Sequence, residues 1–213
     1  MRAGNRWPAF AALAIVIIMV LSYTAYYFTR PRPTLEPPSS TLLSSYLGGT
    51  WTLNSSRSFI ATFDVSAGKV HLSYLNGTTK YYNLSEQIPN QGPLTYAIEF
   101  EMPGANGRPN GGLPLWVRNY AYTGPSNAYL VLEVFRANST QLQWTLDALE
   151  AKFGPPSIAN GVKYYVERPY LPLLKTTYVY AIYRDYLLVV GTNTSAPESS
   201  LASLAVSYAL SLP

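Results

Sequence analysis

The stretch TTYVYAIYRDYLLVVGTN, residues 176 to 193, decides what kind of sheet this chain builds. It reads as two strands, TTYVYAIY and YLLVVGTN, joined at Arg184-Asp185. Two residues suffice for a tight antiparallel hairpin and are far too few for the crossover that a parallel pair needs. The second strand carries an almost unbroken apolar run, Leu187 to Val190, which suits a central place in the sheet.

Helices are predicted on both sides of this hairpin. In NSTQLQWTLDALEAKFGPP, Asn138 serves as N-cap with Gln141 reaching back. Leu142, Leu146, Leu149 and Phe153 then share a face, and Gly154-Pro155 ends the run. In SAPESSLASLAVSYALSL, Ser195 and Glu198 make a capping box with Pro197 in the first turn. Leu201, Leu204, Ala205, Tyr208 and Leu212 form the apolar stripe. The predicted helices cover about 138–153 and 196–211. VKYYVERPY, from Val162, adds a strand between them.

The amino-terminal half supplies more strands. After a short helix in TLLSSYLGG that ends at Gly48 come SFIATFDV (58–65), LTYAIEFEM from Leu94, LPLWVRNYAY (113–122) and AYLVLEVFR (128–136). Their alternation of apolar and polar residues marks half-buried strands. HLSYLNGTTKYYNLS, His71 to Ser85, reads as a hairpin on Asn76-Gly77, whose residues supply the positive φ values of a type I′ turn. That register pairs 75 with 78, 73 with 80 and 71 with 82. It sets Val70, Leu72, Tyr74 and Tyr81 on the other face, together with Asn83. Strands, helix, strands, helix without regular alternation predicts an α+β fold, a mainly antiparallel sheet with both helices on one face. The halves echo each other, each closing with a hairpin and a capped helix, but share no sequence repeat.

Pro8 to Phe28 runs 21 residues without a charge. As a helix it spans about 31 Å, which is bilayer length. Trp7, Tyr26 and Tyr27 sit where aromatic belts form, and arginines lie just beyond. A cleaved signal peptide is the competing reading, disfavoured by the length of the run and the missing A-x-A site. The expected organisation is a cytoplasmic tail (1–7), a transmembrane anchor (8–28), a proline-rich spacer (29–40) and an extracytoplasmic domain (41–213). The chain is then a single-pass protein of the cell membrane with its carboxy-terminal domain outside. Sequons at Asn54, Asn76, Asn83, Asn138 and Asn193 fit that orientation and predict a glycoprotein. Asn83 is set apart from the other four, because the type I′ register gives it the parity of the apolar residues.

Composition closes off several chemistries. With no cysteine among 213 residues, disulfides, thiolate nucleophiles and Cys-ligated metals are excluded. Of the 15 basic residues, Arg2, Arg6, Arg30 and Arg32 precede the domain, which is otherwise nearly neutral. No basic stripe for nucleic acid remains. No cofactor motif and no metal site are expected. Catalytic candidates are weak: Glu99 and Glu101 share a strand face, and His71, the single histidine, lacks a positioned partner. Tyrosine, at 19 residues, is the compositional anomaly. Tyr164, Tyr165, Tyr178 and Tyr180, with Arg108 in the glycine-rich loop PGANGRPNGGLP, are the candidate surface for a protein or glycan partner. The sequence thus predicts a membrane-anchored, non-catalytic binding or assembly protein of the cell envelope or of a membrane complex. The alternatives are an envelope-acting hydrolase using Glu99 and Glu101 or His71, and a subunit associated with a surface filament or pilus.

Overall fold

The computed structural model describes residues 36–64, 66–83, 116–168 and 176–213. The predicted anchor (8–28), the strand from Leu94 with Glu99 and Glu101, and the loop with Arg108 lie outside the described residues. No helix among those described is long and apolar enough to cross a membrane. Residues Pro37–Leu212 form one compact unit.

In chain order the elements are α1 (Ser40–Leu47), β1 (Thr52–Leu53), β2 (Phe59–Asp64), β3 (Lys69–Tyr74), β4 (Thr79–Asn83), β5 (Trp116–Thr123) and β6 (Tyr129–Arg136). Then follow α2 (Ser139–Phe153), β7 (Ser157–Ala159), β8 (Val162–Glu167), β9 (Thr177–Tyr183), β10 (Tyr186–Thr192) and α3 (Glu198–Ser211). The sheet runs β4-β3-β2-β5-β6-β10-β9-β8-β7, with β1 also on β5. Every pairing among these strands is antiparallel. The fold is therefore α+β, as the sequence predicts, with three α-helices among the described residues.

The 176–193 hairpin forms as read, with Tyr183 opposite Tyr186 across Arg184-Asp185. Its second strand, β10, lies between β6 and β9 and is buried along its whole length. Full burial requires cover on both faces, and the helices provide it from opposite sides. This corrects the expectation that both pack on one face. Leu142 and Leu149 of α2 join Tyr165, Tyr180, Leu187, Val189 and Phe135 in one core cluster. Tyr208 of α3 meets Tyr120, which has the opposite parity on β5. Helix α3 rests on β8, β9 and β10 and packs against α1. Since α2 and α3 sit on different faces, the echo between the halves is one of element order and not a symmetry of the sheet.

The α2 capping box is complete, with Asn138 and Gln141 exchanging bonds of 2.9 Å in both directions. The box expected at Ser195 does not form. Helix α3 starts at Glu198 with Pro197 as N-cap, whose carbonyl accepts from Ser200 and Leu201. Glu198 instead pairs with Arg168 at 2.7 Å. Pro38, assigned to the spacer, is buried, and its carbonyl accepts a 2.7 Å bond from Tyr122 Oη.

Two Asn-Gly pairs behave differently. Asn160-Gly161 has φ of 50° and 80° and closes β7 onto β8 with Ala159 opposite Val162, a type I′ hairpin. At Asn76-Gly77 only the glycine has positive φ, 88°. Tyr74 N donates to Thr78 O and Gly77 N to Tyr74 O, so three residues form the loop. Two contacts hold it in that form: Leu75 N donates to Ser58 O, and Asn76 N to Ser55 O. The register then differs by one residue from the predicted one, pairing 73 with 79 and 71 with 81. A one-residue shift reverses the faces of β4. Tyr82 turns to the core, whereas Tyr81 and Asn83 turn to solvent beside His71.

Candidate functional site

β1 and β2 lie on the same edge of β5, and the chain between them bulges out at 54–58. Ser58, fully buried, bridges the gap: its hydroxyl accepts from Ala121 N at 3.0 Å and donates to Asn54 O at 2.8 Å. This repair keeps β2 in register with β5, which in turn sets one cross-strand row. Tyr81, His71, Thr62 and Trp116 occupy successive strands at the same level on the α3 face of the sheet. Helix α3 covers β8 to β10 and leaves this end open, so that Thr62 is exposed in mid-sheet and Tyr81 is 69% exposed.

The row is preorganised. The Tyr81 and His71 rings stack with centroids 4.5 Å apart and planes 8° from parallel. Adjacent strands lie about 4.8 Å apart, so the ring normals point along the inter-strand direction. Trp116, half-buried, carries the Arg118 guanidinium 5.1 Å above its ring. Exposed Thr62 stands between the His71 and Trp116 positions, and the Trp116 ring also lies 6.0 Å from that of Tyr186. Flat rings with a nearby cation suit recognition of a polar partner with apolar faces.

The tyrosines singled out in the sequence fall elsewhere. Tyr178 and Tyr180 share a face, as alternation requires, and Tyr165 joins them. That face is the one under α2, and Tyr165 and Tyr180 are 4% and 2% exposed. Phe153 of α2 lies 6.1 Å from both rings. Tyr180 Oη donates to Glu167, itself paired with Lys152 at 2.8 Å. Tyr178 lies half-buried over Gly191, and Tyr164 is half-buried on the opposite face. Packing against α2 thus takes up the surface expected from Tyr165, Tyr178 and Tyr180. Tyr81 and Trp116 were not singled out, although Trp116 and Arg118 at i, i+2 on one strand were readable as neighbours on one face.

His71 lies in the middle of this row, between Tyr81 and Thr62. Its Nε2 is shielded from solvent and has no hydrogen-bond partner, and its ring is held by the stack on Tyr81. Among the described residues no three His, Asp or Glu side chains gather as a metal site. The sequon asparagines of the described segments lie at the surface. Asn76, Asn83 and Asn138 are exposed, and Asn54 and Asn193 half-buried. In four of them the carboxamide oxygen is held: Asn54 by Ser56, Asn76 by Thr78, Asn138 by Gln141 and Asn193 by Tyr129.

One group of the core stands out electrostatically and was also missed in the sequence. Glu133, on β6, is fully buried, and loss of hydration pushes its carboxyl up to about 8. Its parity on the strand, shared with Val131 and Phe135, was the available signal.

Fold and surface together define an antiparallel α+β domain with one sheet face half covered and half open. No family model matches the chain, and neither a curated protein nor a solved structure does.

Proposed function

We propose that this chain is a non-catalytic binding or assembly protein, tethered to the cell membrane by residues 8–28 with its α+β domain on the extracytoplasmic side. The observation that carries the binding role is the row Tyr81, His71, Thr62 and Trp116, with its stacked Tyr81 and His71 rings and the Arg118 guanidinium over Trp116. Stacked, prepaid ring geometry lowers the ordering cost of docking. The chain enters the domain at Pro38, against Tyr122, and Trp116 lies six residues back along the same strand, about 20 Å away at ~3.4 Å per residue. The anchor reading rests on the uncharged run and its aromatic flanks, and the outer location on the surface sequons.

A photo-crosslinking residue placed at position 81 in intact cells tests the binding role, with position 158 on the far edge strand as control. Adducts at 81 that are absent at 158, and that disappear in Trp116→Ala, are expected. Equal adducts at both positions refute the site. External protease and glycan analysis test the orientation separately.

A further inference from the structure

Glu133 and Asn119 are direct cross-strand partners on β6 and β5, and both are buried. Their Cβ atoms are therefore roughly 5 Å apart. Three buried oxygens of this pair have no hydrogen-bond partner: Glu133 Oε1, Glu133 Oε2 and Asn119 Oδ1. All three accept when the carboxyl is ionised. Turning the Asn119 carboxamide over does not help, because its Nδ2 already donates to Arg57 O at 2.8 Å, and a half-turn would set oxygen against oxygen. A cation is poorly served by two side chains, since hard cations collect six or more oxygens.

Among the described residues the neighbouring groups supply no countercharge either. Val189 lies across β10, and Tyr180, two strands away, gives its hydroxyl to Glu167. From α2 the inward polar groups are Gln141 and the Thr145 hydroxyl, the latter turned back on the helix carbonyl of Gln141. The charged Asp147, Glu150 and Lys152 of α2 lie on its exposed side. Desolvation alone sets the acidity of Glu133, with no charge opposing it. The group that converts one acceptor into a donor is a proton on Glu133 itself.

We infer that Glu133 is held as the neutral acid and that its proton bridges to Asn119 Oδ1, a structural proton of the β5–β6 seam whose release loosens the sheet under α2. One O–H bond satisfies two of the three oxygens and removes a buried charge. Binding at the Tyr81 row on the opposite face is a separate matter, so this inference stands or falls without it.

Infrared difference spectra of the full chain in detergent, from about pH 5 to about pH 10, read the proton directly. A carboxylic-acid carbonyl band persisting through neutral pH, lost above about pH 8 and absent in Glu133→Gln, is expected. In Asn119→Leu the band should move towards that of a free acid. If that variant does not fold, the position of the native band against hydrogen-bonded and free acid references reads the same contact. Amide exchange in β5, β6 and α2, corrected for intrinsic rates, should quicken above about pH 8 in the native chain and not in Glu133→Gln. Absence of a protonated band from residue 133 at neutral pH overturns the inference, and means that water or an ion serves an ionised carboxylate. A band unmoved by loss of Asn119 also overturns it.

Discussion

Replacing Glu133 with glutamine should flatten the dependence of stability on pH. The carboxyl titrates near 4.5 in the unfolded chain and near 8 in the folded one. Between these values the native state keeps a proton that the unfolded state has released, so stability falls as pH rises, by up to about 1.4 kcal/mol per pH unit. Its contribution is complete below about pH 4.5 and gone above about pH 8. From about pH 5 to about pH 8 the loss comes to roughly 3.5 kcal/mol, against a typical total of about 5–15 kcal/mol. Among the described residues, the other perturbed groups titrate outside this window. Asp64 is held below its ordinary 3.8 by Ser66 and Ala67, whereas burial pushes Tyr120, Tyr122 and Tyr208 above 10. Urea unfolding of the full chain in detergent, followed by tryptophan fluorescence at successive pH values, measures the effect. Glu133→Gln should match the native chain near pH 5 and exceed it increasingly above neutrality. Parallel curves for the two proteins would refute the reasoning, because the slope would then belong to other groups.

Ser58→Ala should lower stability by roughly 1–3 kcal/mol in the same urea assay, since it strands the Ala121 N–H inside the sheet, whereas Asn54 C=O keeps its bond from Arg57 N. Gly191→Ala places a Cβ 2.6 Å from Tyr178 Cε1 and should cost about 1–3 kcal/mol. Combining it with Tyr178→Leu should cost less than the sum of the single changes. The β3–β4 register can be read by oxidation, because the chain has no cysteine of its own. A Ser73→Cys, Thr79→Cys pair should crosslink, whereas Ser73→Cys with Lys80→Cys, whose side chains point to opposite faces, should stay reduced.

Features fixed by short-range geometry were legible in the residues, and those fixed by distant contacts were not. The two-residue link at Arg184-Asp185 and the Asn138–Gln141 box each involve neighbours in sequence, and both formed as read. The Leu187–Val190 run contained more than was taken from it: a strand apolar on both faces already implies a layer on each side, and hence α2 and α3 apart. Asn76-Gly77 carries the same dipeptide as Asn160-Gly161, yet its loop is tied to Ser55 and Ser58 about twenty residues away in sequence. No local rule contains that tie, and with it went the facing of Tyr81, Tyr82 and Asn83. The tyrosines show the same limit. That Tyr178 and Tyr180 share a face follows from strand period. That the face is covered follows from where α2 packs.

The corrected register also brings two functional readings into conflict at Asn83. In the register read from sequence this asparagine lay among core residues, apart from His71. In the structure it is exposed, opposite Lys69 and two residues from Tyr81 on the same face, about 7 Å away along the strand. A glycan attached there would overhang the stacked Tyr81 ring and shield the row from a large partner. Asn54, Asn76 and Asn193 raise no such conflict, because they lie at the opposite strand ends, near Ala121, Ser55 and Tyr129. If the row is a docking surface, glycopeptide mass spectrometry of native protein should find residue 83 unmodified while sites at the other end are occupied. Full occupancy at Asn83 together with undiminished crosslinking at position 81 would show that the partner approaches from elsewhere, or that the row itself recognises the sugar.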